Sequence, residues 1–465
     1  MANGLSGAPM PGRTEMVMQT IRRMIASHAL APGDRLPSIR KLAREKGVSP
    51  STVVEAYNRL AAEGLIRPRP GSGFYVMACL APAGGSEADA PTDRAVDPFW
   101  VSRQSLDAGR EMRRPGCGWL PPDWMPLAAI RRAMRAAAKT DDATLVEYGS
   151  TRGSLALRRL LARQFAAEGI DAGADQILLT SSGTQAIDLI CRHVLRPGDA
   201  VLVDDPCYFN FRALLQAHAA RIVGVPYTPA GPDMAAFEEA LAIHRPRLYL
   251  TNSALHNPTG ATLSPSIAHR LLAAATAHDI TIVEDEIFTD FEPERSVRLA
   301  ALDGLNRVIR IGSFSKTLSA SIRCGYIAAR PELAEALIDL QLATGFGGPS
   351  PLAAELVFRT LSDGSYYRHL GSLRARLARR RREVTADLAQ IDVHLWTPPR
   401  GGFYLWCRLP RASDASEVAK RAVQEGIILA PGNVFSVAQT ATDFMRFNVT
   451  QMSPDVATFL RRTLA

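Results

Sequence analysis

The chain has 465 residues, 47% of them hydrophobic and 22% charged, and at roughly 100 to 200 residues per domain that length excludes one small binding module. The composition, with no run of about 18 apolar residues, excludes a disordered chain and a membrane-spanning bundle and points to a soluble globular protein. The formal charge of +8 is unevenly placed: residues 1–77 hold eleven Lys or Arg against five Asp or Glu, which suits a polyanion partner as well as a merely basic surface.

Met1 to Gly12 lack the basic-then-apolar layout of a signal peptide, so a cytoplasmic protein with no membrane partner is expected. Cys79, Cys117, Cys191, Cys207, Cys324 and Cys407 form no CxxC pair and read as packing thiols in a reducing compartment, with no metal site. In chain order, Val17, Ile21, Met24, Ile25 and His28 mark one helix face, and Ile39, Leu42 and Ala43 a second. In the third helix, Ser49 is the N-cap and Pro50 the first residue; Val53, Ala56, Tyr57 and Leu60 recur at helical spacing before Gly64 ends it. Two strands, 65–67 and 74–77, flank a turn at Pro70-Gly71-Ser72-Gly73. Three helices and a two-stranded wing over residues 11–77 make a winged helix-turn-helix, whose third helix would enter the major groove of double-stranded DNA.

Residues 78–96 are rich in Ala, Pro, Gly and acidic side chains and read as a linker, spanning roughly 25 Å if flexible. From 97 to 465 short apolar strands, at 176–180, 200–203, 221–225, 247–250, 280–283, 307–311 and 326–329, alternate with helical segments. That alternation predicts an α/β unit with a mostly parallel sheet, ligand chemistry at the strands' carboxyl ends, and a smaller C-terminal subdomain from about 333.

The stretches GDRLPSIRKLA, GVSPSTVVEAYNRLAAEGLI and RPGSGFYV resemble the GntR family in order and spacing. The resemblance implies DNA contacts from Arg40, Ser49, Ser51, Thr52 and Arg59 and from the wing-tip backbone of Gly71, Ser72 and Gly73. Pro50 and Val54 stand where many members carry arginine, which moves the expected readout from guanine forks toward shape and phosphate contacts.

In the larger part, Gly312-Ser313-Phe314-Ser315-Lys316 follows a strand and precedes Arg323 by seven residues, a pattern that suits an amine forming a Schiff base beside a phosphate. The stretch ILLTSSGTQAIDLI is strand, turn and helix, so the amides of Gly183 and Thr184 would face a phosphate at a helix N-terminus. Asp285 ends a strand where its carboxylate would hold a pyridine nitrogen protonated; Asn257 offers an amide donor and Tyr208 a stacking face. In order and spacing these elements resemble the fold-type I aminotransferases, from about Gly118 to the C-terminus. The resemblance implies pyridoxal 5'-phosphate as cofactor, with Lys316 forming the internal aldimine, Asp285 at the ring nitrogen, Asn257 at the ring oxygen and Tyr208 under the ring. It places Gly183, Thr184, Ser313, Ser315 and Arg323 around the phosphate. Tyr148 in EYGSTRG would reach the phosphate from the other subunit of a homodimer, and Arg446 in FMRFNV would grip a substrate carboxylate. Phe288 stands where relatives often carry tyrosine, so one hydrogen bond to the ring oxygen is expected to be missing. His256, beside Asn257, reads as a loop residue or a proton shuttle.

The two halves together resemble the MocR-type regulators. The function implied is a DNA-binding transcriptional regulator whose aminotransferase-like part senses an amine or amino acid by aldimine exchange at Lys316. The alternatives are a working aminotransferase that carries a DNA-binding domain, and a sensor of the cofactor itself. Effector, target genes and operator are not legible. The arginines at 374, 376 and 379–382 read as an ion-paired surface helix or a second DNA track.

Overall fold

The computed structural model describes residues 12–26, 29–77, 96–109, 111–410 and 413–464; His28, Cys79 and residues 78–95 of the linker lie outside them. The chain divides into two compact units, Met1–Asp93 and Arg94–Ala465. In the first, α1 (Arg13–Ala26), α2 (Ile39–Lys46) and α3 (Pro50–Ala62) precede an antiparallel hairpin of β1 (Ile66–Arg69) and β2 (Gly73–Val76). Helical spacing explains the packing: Val17 and Ile21 meet Leu42, Val53, Tyr57 and Leu60 in one buried core with Ile66 and Val76. Ser49 Oγ accepts the Thr52 N–H at 3.2 Å, and Pro50 follows where a missing N–H costs nothing. In the hairpin turn Gly71 and Gly73 adopt φ of +72° and +104°, conformations that favour glycine strongly.

In the second unit, Val96 is not linker but core, buried in one cluster with Val101, Phe209 and Phe435. A lone valine after a run of small and acidic residues carries no periodicity to mark where packing begins. The main sheet contains β3 (Ile177–Thr180), β4 (Ala200–Asp205), β5 (Arg221–Thr228), β6 (Gly231–Pro232), β7 (Leu248–Thr251), β8 (Thr281–Asp285), β9 (Val308–Ser313) and β10 (Gly325–Ala328), in the order β3-β10-β9-β8-β7-β4-β5-β6. Pairs β5–β4, β4–β7, β7–β8 and β8–β9 are parallel. Apart from β5, these strands are buried at every residue or at all but one, as expected when helical crossovers cover both faces. The exception inside the sheet is β10, antiparallel to both β3 and β9. Its connection from β9, residues 314–324, contains no helix, so the chain turns straight back instead of crossing over. That return loop carries Lys316.

Beyond 331, helices Pro331–Gly345, Pro351–Ser362 and Ser365–Ala389 lead into a four-stranded antiparallel sheet of β11 (His394–Leu395), β12 (Tyr404–Arg408), β13 (Ala430–Pro431) and β14 (Phe444–Asn448), ordered β11-β12-β14-β13. Backbone bonds from Arg113 to Gly426 and from Gly116 to Ile428 fasten the segment before Gly118 to the stretch that leads into β13. The arginine run lies on helix Ser365–Ala389 and is largely engaged. Arg374 donates to the Asp290 carbonyl at 2.8 Å, Arg380 to Met452 at 2.8 Å and Arg381 to Gly402 at 2.7 Å. Arg376 pairs with Asp123 at 2.8 Å and lies over the Trp124 ring. This favours the ion-paired helix over the DNA track. Among the described residues no helix is long and apolar enough to cross a membrane.

Candidate functional site

A cleft of about 700 Å³ opens over the carboxyl ends of the parallel strands, where strand ends and loops converge. β9 runs into Ser313, Ser315 and Lys316, β8 ends on Asp285, the segment after β7 carries Asn257, and the turn after β4 carries Tyr208; all six line the cleft. Gly183 and Thr184, from the start of helix Gly183–Val194, line it too, with Arg323 and Arg446. Of the cofactor and substrate residues expected from sequence, only Tyr148 is elsewhere: 81% exposed, its ring 4.9 Å from that of Phe346.

Lys316 Nζ donates to the Gly118 carbonyl at 2.7 Å. Burial, and next the nearby Arg446 charge, lower its pKa to about 8. Burial pushes the Asp285 carboxyl up to about 7, partly opposed by the Ile287 N–H that donates to it at 3.1 Å. No basic side chain forms a salt bridge with Asp285 among the described residues, and the Lys316 charge opposes the effect of burial only weakly, so this buried acid is poorly compensated. A protonated ring nitrogen would supply a counter-charge, and the carboxylate therefore fits a pyridine cofactor.

The phosphate end also fits. Ser182 Oγ accepts the Gln185 N–H at 3.0 Å as N-cap, which leaves the Gly183 and Thr184 amides at the helix N-terminus for an anion. Ser313 Oγ lies 3.2 Å from Ser315 Oγ, and the exposed Arg323 adds a cation. At the other end Arg446, 1% exposed, donates to Asn257 Oδ1 at 2.8 Å and to the Gly116 carbonyl at 2.7 Å. Its Nε has no partner among the described residues. Since the Asn257 carbonyl oxygen is engaged, its NH₂ is the end left for a ligand oxygen. Phe288 is buried against Phe291, Phe403 and Tyr404 and offers no donor.

His256 is a packed loop residue and not a shuttle. It is buried outside the cleft lining, its Nδ1 2.8 Å from Thr259 Oγ1, its Nε2 3.2 Å from Asp204 and its ring stacked on Tyr227. Sequence reasoning missed Asn252, which donates to the Asp285 carbonyl at 2.9 Å, and also Ser182, Gly118 and Tyr404. Only Ser182 was readable, as a serine before a helix-opening glycine; the others reach the cleft from separate segments.

On the smaller unit, Ser49, Ser51 and Arg59 are exposed and Thr52 is half-buried. The Ser49 hydroxyl lies 2.8 Å from those of both Ser51 and Thr52, and Arg59 pairs with Glu55 at 2.7 Å. Arg40 is exposed on α2 with no ion-pair partner among the described residues. At the wing Gly71 and Gly73 are exposed, while Ser72 Oγ lies 2.5 Å from Tyr75 Oη. Arg69, stacked over the Tyr75 ring, was not anticipated.

The family profile of aminotransferase class I and II matches residues 123–462, and that of the gntR family of bacterial regulatory proteins matches 13–76. The chain is 32% identical to the uncharacterised HTH-type transcriptional regulator YdcR of Escherichia coli (strain K12), over 93% of this chain and 94% of that one. It is 26% identical to the HTH-type transcriptional regulator NorG of Staphylococcus aureus (strain USA300), over 86% and 92%. Among solved structures it is similar to LysN, the α-aminoadipate aminotransferase of Thermus thermophilus, complexed with N-(5'-phosphopyridoxyl)-L-leucine: TM-score 0.70, 26% identity, 78% of this chain and 92% of that one. Fold and cleft thus define a winged helix joined to an aminotransferase-type α/β unit. The chain belongs to the aminotransferase class I and II family and, through its N-terminal unit, to the gntR family of transcriptional regulators, in the MocR-type combination. The fold implies dependence on pyridoxal phosphate.

Proposed function

We propose that this regulator holds pyridoxal phosphate on Lys316 and changes its grip on an operator when a small amine or amino acid takes the lysine's place. The observation that carries the reading is the buried Asp285, without a salt bridge among the described residues, in the same cleft as a lysine whose amine burial pushes toward the neutral form. When bound, the cofactor supplies an aldehyde carbon for amine exchange and an electron-withdrawing ring. Asp285 would keep a proton on the ring nitrogen, Asn257 would donate to the ring oxygen, and Tyr208 would cover one face. Gly183, Thr184, Ser313, Ser315 and Arg323 would hold the phosphate, and Arg446 a ligand carboxylate. A screen of amines and amino acids, read by visible absorbance and operator bandshift together, tests the proposal; absorbance changes that leave DNA affinity untouched count against it. Lys316, Asp285 and Arg446 in one cleft also support turnover as a second activity, measured as keto acid formation.

Exposed Tyr148, Val146, Leu145 and Phe346 support a homodimer, since such apolar side chains seek a partner. Val146→Asp is expected to sediment as a monomer and to bind the cofactor at least tenfold more weakly, because Tyr148 would no longer reach the partner's phosphate. A cofactor-saturated monomer would remove the shared-site idea.

For the winged helix, unpaired Arg40 is read as a phosphate contact. Arg40→Ala should weaken DNA binding on all sequences alike and reduce the salt slope by about one. An unchanged slope would exclude a phosphate contact.

A further inference from the structure

Tyr404 opens β12 and is only 4% exposed, held by Phe403 at 4.4 Å and Phe288 at 5.4 Å between ring centroids. In the β12–β14 register Trp406 lies opposite Arg446, so Tyr404, two residues away, shares a sheet face with that arginine. The Arg446 guanidinium sits over the Tyr404 ring at 4.2 Å. Tyr404 lines the cleft, and its hydroxyl has no hydrogen-bond partner among the described residues. The position that a Cβ on Gly118 would take marks where the side chain aims: Tyr404 Oη is 3.1 Å from that point, Lys316 Nζ 3.8 Å and Arg446 Nη2 3.9 Å. An amine, a guanidinium and a hydroxyl therefore border one small space.

We propose that Tyr404 reads the carboxylate of an α-amino acid effector, its hydroxyl and the Arg446 guanidinium together binding the two carboxylate oxygens. The inference rests on the cofactor reading of the cleft. A ligand whose nitrogen replaces that of Lys316 brings its α-carbon to the space beside Gly118, and its carboxylate then meets both donors. A hydroxyl in this position is a neutral donor, and a carboxylate is an acceptor with lone pairs to spare after a guanidinium is satisfied. A simple amine offers this hydroxyl no acceptor and gains nothing from it, whereas the amino acid gains a hydrogen bond to a charged group. The cleft should thus separate an amino acid from the amine that lacks only its carboxyl group. Gly118 belongs to the same device, because a side chain there would fill the space.

The test uses the full chain loaded with pyridoxal phosphate, titrated with L-phenylalanine against phenethylamine and with L-leucine against isoamylamine, read by visible absorbance and operator bandshift. Tyr404→Phe is expected to raise the apparent Kd of both amino acids by about tenfold to a hundredfold, the size of a hydrogen bond to a charged group, and to leave the amines within about twofold. Gly118→Ala should weaken all four ligands while retaining the cofactor. The inference is overturned if Tyr404→Phe weakens amines and amino acids alike, or if wild-type protein takes up the amines and neither amino acid. A changed absorbance pH titration of the unliganded variant would also overturn it, since that would put the hydroxyl on the ring oxygen. The underlying cofactor reading fails on a separate result, the absence of borohydride-fixed cofactor on Lys316.

Discussion

Lys316→Ala is expected to abolish the covalent cofactor: borohydride should fix pyridoxal phosphate on Lys316 of the wild type and on no residue of the variant. The reason is the state of the amine. With a pKa of about 8, roughly a tenth of Lys316 is neutral and nucleophilic at pH 7, against about one part in three thousand for an ordinary lysine. The other lysines stand elsewhere in the chain, none in the cleft lining. Uptake of pyridoxal phosphate by the apoprotein should therefore rise about tenfold per pH unit below pH 8 and level off above it. The sign follows from a depressed lysine pKa, because only the deprotonated form reacts. Arg446→Met should move the midpoint upward, since that guanidinium is the largest charge holding the amine's pKa down. A variant that keeps a fixed cofactor, or a midpoint unmoved by Arg446→Met, would contradict this account of the lysine.

Arg310→Met is expected to carry the largest stability penalty. Arg310 is wholly buried on β9, two residues before the Gly312-Ser313 approach to Lys316, with its guanidinium over the Phe165 ring at 4.3 Å. It pairs with Glu168 at 2.6 Å and faces Glu286 at 3.8 Å, and Glu286 is shared with Arg298. Removing the cation strands the largely buried Glu168 carboxylate and leaves Glu286 to Arg298 alone, a loss of about 3–5 kcal/mol. The urea midpoint of the large unit should fall accordingly. Glu168→Met on top of Arg310→Met should restore part of the loss, because the stranded carboxylate and not the missing methylenes dominates it. Additive losses in the double variant would show that packing alone is at stake.

The elements of the smaller unit and seven strands of the main sheet were readable because each rests on local rules, whereas β6 and the short strands β11 to β14 were not. Ser49 and Pro50 announce α3 by capping chemistry, and the seven apolar runs of the large sheet appear within three residues of their expected ends. The antiparallel β10 was not readable from its apolar pattern, which is the same in either direction; the helix-free return through Lys316 decides it. His256 shows the same limit at the scale of one side chain. Its place beside Asn257 suggested the cleft, whereas its partners Asp204 and Tyr227 come from β4 and β5 and hold it in the interior.

By itself the sequence determined the class of this protein and ten of its eleven expected cofactor and substrate residues as lining one cleft, because strand-end motifs such as Ser313 to Lys316 keep spacing and chemistry together in a few consecutive residues. Only the tertiary structure decided what surrounds them. Tyr404 comes to the space beside Gly118 through the pairing of β12 with β14, and Gly118 is brought to Lys316 by the backbone bonds that fasten Gly116 to the stretch leading into β13. Asp285 loses its hydration through burial, which depends on the helices packed over the sheet. Neighbours along the chain can be read from residue types. Neighbours across it are set by sheet register and packing, which no local pattern records.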